Sequence, residues 1–178
     1  MDPVDMFRRA ATSALTLTDA VNAEHLALAT PCTEWNVAAL LEHMAGGTVY
    51  LLGALGVPVD APLSRPDGAL LGQCLDELAR AGALDRRCLS PAGFEWSVLD
   101  ATAGTAMDQL VHTWDLAVAI GADRRLDSDL CAAAVAMFLP DMPEIGRQAG
   151  FVGPAVTIAD GAPVQDILLA AMGRDPAR

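Results

Sequence analysis

Lysine is absent from this chain: all 11 basic residues are arginine, set against 23 acidic residues for a formal net charge of -12. A polyanion partner needs a basic stripe. The only basic pairs, Arg8-Arg9, Arg86-Arg87 and Arg124-Arg125, are isolated, so nucleic acid is not an expected partner. Cysteine is sparse too. Cys32, Cys74, Cys88 and Cys131 lie too far apart for any CxxC pair, which excludes a zinc knuckle. Reduced thiols acting as small buried hydrophobes are the expectation, with Cys32, just ahead of a helix start, the one that a reactive role would suit. No stretch approaches ~18 uninterrupted apolar residues, so no membrane span is expected. The start MDPVDMFRRA lacks an apolar signal core, which leads to an expected cytoplasmic location. Histidine is rare as well, with His25, His43 and His112 the only three.

What is present is apolar and helical in period. Apolar residues make up 53% and charged ones 19%, enough for a packed core in one domain over 1–178. Val4, Phe7, Ala11, Leu15 and Leu26 recur at helical spacing over 3–28, up to Pro31. Asn36 is placed to cap a second helix that ends near Gly56 and Pro58. Ser64 with Pro66 opens a third, stopping near Gly82. Residues 83–96 read as irregular with one short extended piece. A fourth helix runs from about Ser97 to Ile120, with Gly121 as its C-cap glycine. Asp127 or Ser128 caps a fifth, stopped by Pro140, and Pro163 starts a last one. FVGPAVTIADGAP between them reads as loop or a short edge piece. The fold class is all-α: a helix bundle with additional short helices.

Two helices carry the candidate chemistry. Asp108 and His112 stand four apart on the fourth helix, on one face and about one turn from each other. Two side chains at that spacing can bind one ion, and they can equally form a solvated pair; spacing alone leaves both readings. Asp115 continues the same stripe, beside small residues at Gly104 and Ala119. On the second helix, His43 shares its face with Ala39, Gly46 or Gly47, and Tyr50. Two glycines in mid-helix lose roughly 1 kcal/mol each against alanine, a loss tolerated for close packing or for space near a ligand. If the two faces meet, two imidazoles and one carboxylate gather, a set that zinc accepts with a fourth position open. Nickel, iron and manganese accept it too. His25 reads as a surface or boundary residue, and Trp35 and Trp114 as core or helix-entry anchors.

TPCTEWNVAALLEHMAGG, VHTWDLAVAIG and ILLAAMGRDP, in this order, resemble segments of the metal-binding DinB-like four-helix-bundle proteins of actinobacteria. The likeness is strongest to the group related to the N-terminal domain of mycothiol-dependent maleylpyruvate isomerase, and it runs from about Met6 to Pro176. It implies a metal, usually zinc, held by His43, Asp108 and His112. The isomerase has glutamate where this chain has Asp108, one methylene shorter. Asp115 is then implied to support the ligands rather than to be one. The isomerase also has a further C-terminal domain, for which this chain has too few residues. The resemblance implies a thiol-dependent transferase or isomerase in which the metal binds a thiol such as mycothiol as thiolate. Its partners would be a small electrophile and the thiol, with a homodimer as an option. Tyr50, two turns beyond His43, is a candidate hydroxyl donor in the pocket. The reading from another class is a bundle that binds metal or a small ligand without turnover.

Overall fold

The computed structural model describes residues 1–60 and 62–177. Among these, seven helices and one two-stranded hairpin give a mainly α fold. The chain gathers into two compact units, Met1–Arg124 and Arg125–Arg178.

In the first unit, helix α1 (Pro3–Thr18) starts at Asp2, whose carboxylate accepts the Val4 and Asp5 amides at 2.9 and 3.2 Å. It buries Met6, Phe7, Ala10 and Ala14. The expected continuation to residue 28 does not form. The Asn22 side chain accepts the amides of Glu24 and His25 at 2.9 and 3.2 Å. That local bond offers the backbone an alternative to the helix. Helix α2 (Val37–Ala54) is capped by Asn36, which accepts the Ala39 amide at 3.0 Å. Helix α3 (Gly68–Leu78) is capped by Asp67 and not by Ser64. Strands β1 (Arg87–Leu89) and β2 (Glu95–Ser97) pair antiparallel with Cys88 opposite Trp96, a hairpin where one extended piece is expected. Helix α4 (Val98–Ile120) opens with a Ser97–Asp100 capping box and closes at Gly121, whose φ of 70° is left-handed.

Helices α1 and α2 both pack on α4, and α3 packs on α1 and α2. Ala14, Val21, Val37, Leu40, Leu41, Met44 and Leu116 form a shared apolar cluster, with Trp35 against it. By length and composition α2 is apolar enough to cross a membrane, which the sequence reading did not expect. It is nevertheless bound into the core: buried Gln109 of α4 donates to the Met44 carbonyl at 2.6 Å.

That bond explains one of the adjacent glycines Gly46 and Gly47 of α2. A Cβ on Gly47 would lie 3.0 Å from both Gln109 Nε2 and Thr105 Cγ2, whereas one on Gly46 meets nothing within 4 Å. Gly47 therefore lets α2 and α4 approach, and the amide that would have to move is tied to Met44. Gly104 is closed in the same way, its would-be Cβ lying 3.0 Å from Trp96. It makes room for an indole, not for a ligand. Gly47→Ala should gain roughly 1 kcal/mol of helix propensity and lose about 1–3 kcal/mol to overpacking. A lower melting temperature for Gly47→Ala, beside an unchanged or higher one for Gly46→Ala, is the expected result of paired thermal melts.

In the second unit, helix α5 (Ser128–Phe138) is capped by Asp127, as the sequence suggests. Helix α6 (Asp141–Gln148) was not expected, and it follows Pro140 directly. Helix α7 (Val164–Ala171) starts after Pro163. Arg147 of α6 donates to the Ala171 carbonyl at 2.9 Å, and Gln165 of α7 accepts the Leu126 amide at 2.7 Å. Residues 151–163 contain no strand. Two cysteines behave as expected of core residues: burial pushes the Cys74 thiol up to about 12 and the Cys131 thiol up to about 11.

Candidate metal centre

The segment before α2 is a fixed turn. Thr30 Oγ1 accepts the Cys32 amide at 3.1 Å and donates to the Trp35 carbonyl at 2.9 Å. The Trp35 amide donates to the Cys32 carbonyl at 2.9 Å. The turn sets where α2 begins, and two turns later His43 reaches α4.

His43, Asp108 and His112 meet there. His43 Nε2 is 3.2 Å from each Asp108 oxygen, and His112 Nε2 is 3.3 Å from Asp108 Oδ1. One donor atom from each residue lies within 4.8 Å of the others. Charge-assisted N–H···O bonds cluster near ~2.7–2.9 Å. Metal bonds of ~2.0–2.1 Å at the tetrahedral angle separate neighbouring donors by roughly 3.3–3.4 Å. The observed spacings lie nearer the second figure. The donor set fits a divalent cation, and the shorter aspartate reaches without a glutamate's extra methylene.

The electrostatics bind the trio further. Burial alone would raise Asp108, but the charge of His112 and hydrogen bonds from His112 and His43 hold its carboxyl well below the usual carboxylate range. Burial alone would lower His112; the charge of Asp108 and hydrogen bonds with Asp108, Asp115 and Cys32 hold it well above its ordinary value. The pH consequence follows from the signs. Without metal, the His112 contribution to stability is complete below its ordinary value of 6.5 and is lost as pH rises through its raised one. The Asp108 contribution is present above its ordinary 3.8 and lost as pH falls through its depressed one. Melts of metal-depleted protein should therefore be highest between those limits and fall on both sides. In His112→Ala the alkaline fall should be absent.

Asp115 lies behind His112 and is fully buried. His112 Nδ1 donates to Asp115 Oδ2 at 2.9 Å. This assigns the Nδ1–H tautomer to a neutral His112 and leaves the Nε2 lone pair facing Asp108. Trp35, expected as an anchor, also reaches both rings: its centroid is 4.5 Å from His43 and 5.6 Å from His112. Cys32 Sγ lies 3.3 Å from Asp115 Oδ2, a contact across 83 residues that no local pattern signals.

Tyr50 is placed elsewhere than the sequence suggests. Its hydroxyl donates to the Leu89 carbonyl at 2.8 Å and accepts from Trp96 Nε1 at 2.7 Å. Burial, then the Cys88 thiol, raises its pKa above the ordinary value. It clamps the hairpin onto α2. His25 Nδ1 accepts the Asn22 amide at 3.3 Å in the turn after α1 and is not among the gathered donors.

No protein-family model matches the chain, and no solved structure matches it. Two curated proteins of Mycobacterium tuberculosis do: the uncharacterized protein MT0763 of strain CDC 1551 / Oshkosh and the uncharacterized protein Rv0738 of strain ATCC 25618 / H37Rv. Each is 31% identical over 169 residues, covering 92% of this chain and 89% of the relative. At that identity and coverage, the chain belongs to the family of these two mycobacterial proteins.

Proposed function

We propose that the protein is a metal-dependent enzyme of a DinB-like four-helix bundle, using a low-molecular-weight thiol of the mycothiol kind on a small electrophile in the cytoplasm. The observation that carries this reading is the convergence of His43, Asp108 and His112 at 3.2–3.3 Å. Mutual packing of α1 to α4 supports the bundle. Zinc is the metal that the resemblance implies, and nickel, iron or manganese would accept the same donors.

Each residue has a distinct task. His43 and His112 present neutral nitrogens. Asp108 supplies one negative charge, so the three donors leave a divalent cation with a net charge near +1 and room for an anion. The bound cation would stabilise a thiolate, or a hydroxide, at neutral pH. Asp115 holds the His112 tautomer, and Trp35 shields part of both rings from water. Protons compete for Nε2, so the apparent zinc affinity should fall about tenfold per pH unit below the raised His112 value. Competition titrations between pH 5 and 8 measure this slope.

The direct test is thiol-dependent consumption of a panel of small electrophiles. Turnover that needs both metal and thiol, and that disappears in His43→Ala, is the expected result. Metal binding with no turnover by any thiol would favour a bundle that only binds metal or a small ligand.

A further inference from the structure

His112 belongs to two clusters through opposite nitrogens. Nε2 faces Asp108 and His43, while Nδ1 faces Asp115 and Cys32. The distances in the second cluster are 2.9 Å from Nδ1 to Asp115 Oδ2, 3.3 Å from Cys32 Sγ to the same oxygen, and 3.9 Å from Sγ to Nδ1. An ionised carboxylate only accepts, so the nearer thiol donates to it, as the imidazole does. The 2.9 Å separation is a hydrogen-bond length and is shorter than a ligand edge in a tetrahedral site. A cation there would also have to strip Nδ1 of its proton and share one ring with a second cation. The cluster therefore reads as a hydrogen-bonded support.

We propose that Cys32 is a positioning residue: by donating to Asp115 Oδ2 it fixes the carboxylate that orients His112. The proposal rests on the metal reading above. The terminal torsion of an aspartate is broad and lets the carboxylate rotate. One donor fixes the distance to an oxygen; a second from another direction fixes its angle. The imidazole plane follows, and with it the line along which Nε2 points. The turn closed by Thr30 holds Cys32 in place for this contact. Partners that support a ligand in this way change metal affinity by ~10–100-fold when removed. Cys32 acts through Asp115, so about tenfold is expected.

The test uses the full chain with Cys32→Ala and Cys32→Ser. Cobalt(II) is the probe for affinity and visible spectrum, and imidazole NMR of metal-depleted protein follows the His112 Nδ1–H proton. Cys32→Ala should bind cobalt about tenfold more weakly, with a shifted visible band. It should also lose the Nδ1–H signal to water exchange. Cys32→Ser, which keeps a donor, should restore all three. Unchanged cobalt affinity and spectrum in Cys32→Ala would overturn the proposal, as would equal impairment of the alanine and serine variants. Two cobalt ions per chain with a thiolate charge-transfer band would make Cys32 a ligand and overturn it as well. A wild-type chain that takes up no cobalt would sink the metal reading, and the Nδ1–H signal would still decide whether Cys32 positions His112.

Discussion

His43→Ala should weaken metal binding by about 10²–10³ and leave the fold intact. Four-ligand structural zinc sites are worth ~10–16 kcal/mol, so one ligand contributes about 3–4 kcal/mol, or 10²–10³ in affinity. His43 is the proposed ligand whose loss disturbs least. Its side chain is 38% exposed, it lies on α2 where alanine is a good helix former, and its Nε2 contacts are confined to Asp108. His112→Ala should lose the metal too, but it also takes the imidazole from the buried Asp115 carboxylate. Zinc titration against a competing chelator, with circular dichroism of the same samples, separates the two effects. Wild-type affinity in a folded His43→Ala would remove His43 from the site.

The second large effect runs the other way. Asp115→Ala should destabilise the protein far more than Asp108→Ala, although only Asp108 faces the proposed cation. The Asp115 side chain is fully buried against His112, and that of Asp108 is 36% exposed. Breaking a buried pair from one side costs about 3–5 kcal/mol. For a chain of this size that lowers the melting temperature by roughly 6–20 °C. Asp108→Ala also takes a partner from His112, but the Asp108 side chain is partly solvated, so its loss is the smaller one. Metal affinity should show the opposite ranking: a fall of ~10–100-fold for Asp115→Ala, against 10²–10³ for Asp108→Ala. Melts in chelator and zinc titrations of both variants give the two orders. Equal melting temperatures would mean that the His112–Asp115 contact does not support the fold.

The parts of the molecule written into local sequence were legible there. Ser97, Asp100 and Gly121 mark both ends of α4, and Asn36 marks the start of α2, because caps are decided within a few residues. Helical spacing put Asp108, His112 and Asp115 on one stripe and His43 on a face of α2 that could meet it, and the resemblance implied His43, Asp108 and His112 as ligands of one metal. What escaped depends on contacts between distant residues or on side chains that redirect the backbone. Past the end of α1, Asn22 closes a turn with Glu24 and His25 where helical spacing predicts more helix. The 87–97 hairpin has three-residue strands, too short for an alternation to show. Helix α6 hides behind Pro140 and Pro143. Gly46 and Gly47 look alike until Gln109 and Thr105 are seen against only one of them. Tyr50 shares a helical face with His43 but is bound by Trp96 and Leu89 from the hairpin. The Cys32–Asp115 contact spans 83 residues and has no periodic signature at all.

His43, Asp108 and His112 are proposed to hold one divalent cation. Elemental analysis of protein purified without a histidine tag, followed by zinc titration of the chelator-stripped chain, tests it most directly. One metal ion per chain, taken up again after stripping and lost in His43→Ala, Asp108→Ala and His112→Ala, is the predicted result. A chain that carries no metal and takes up no zinc, or one whose uptake survives all three substitutions, would contradict it.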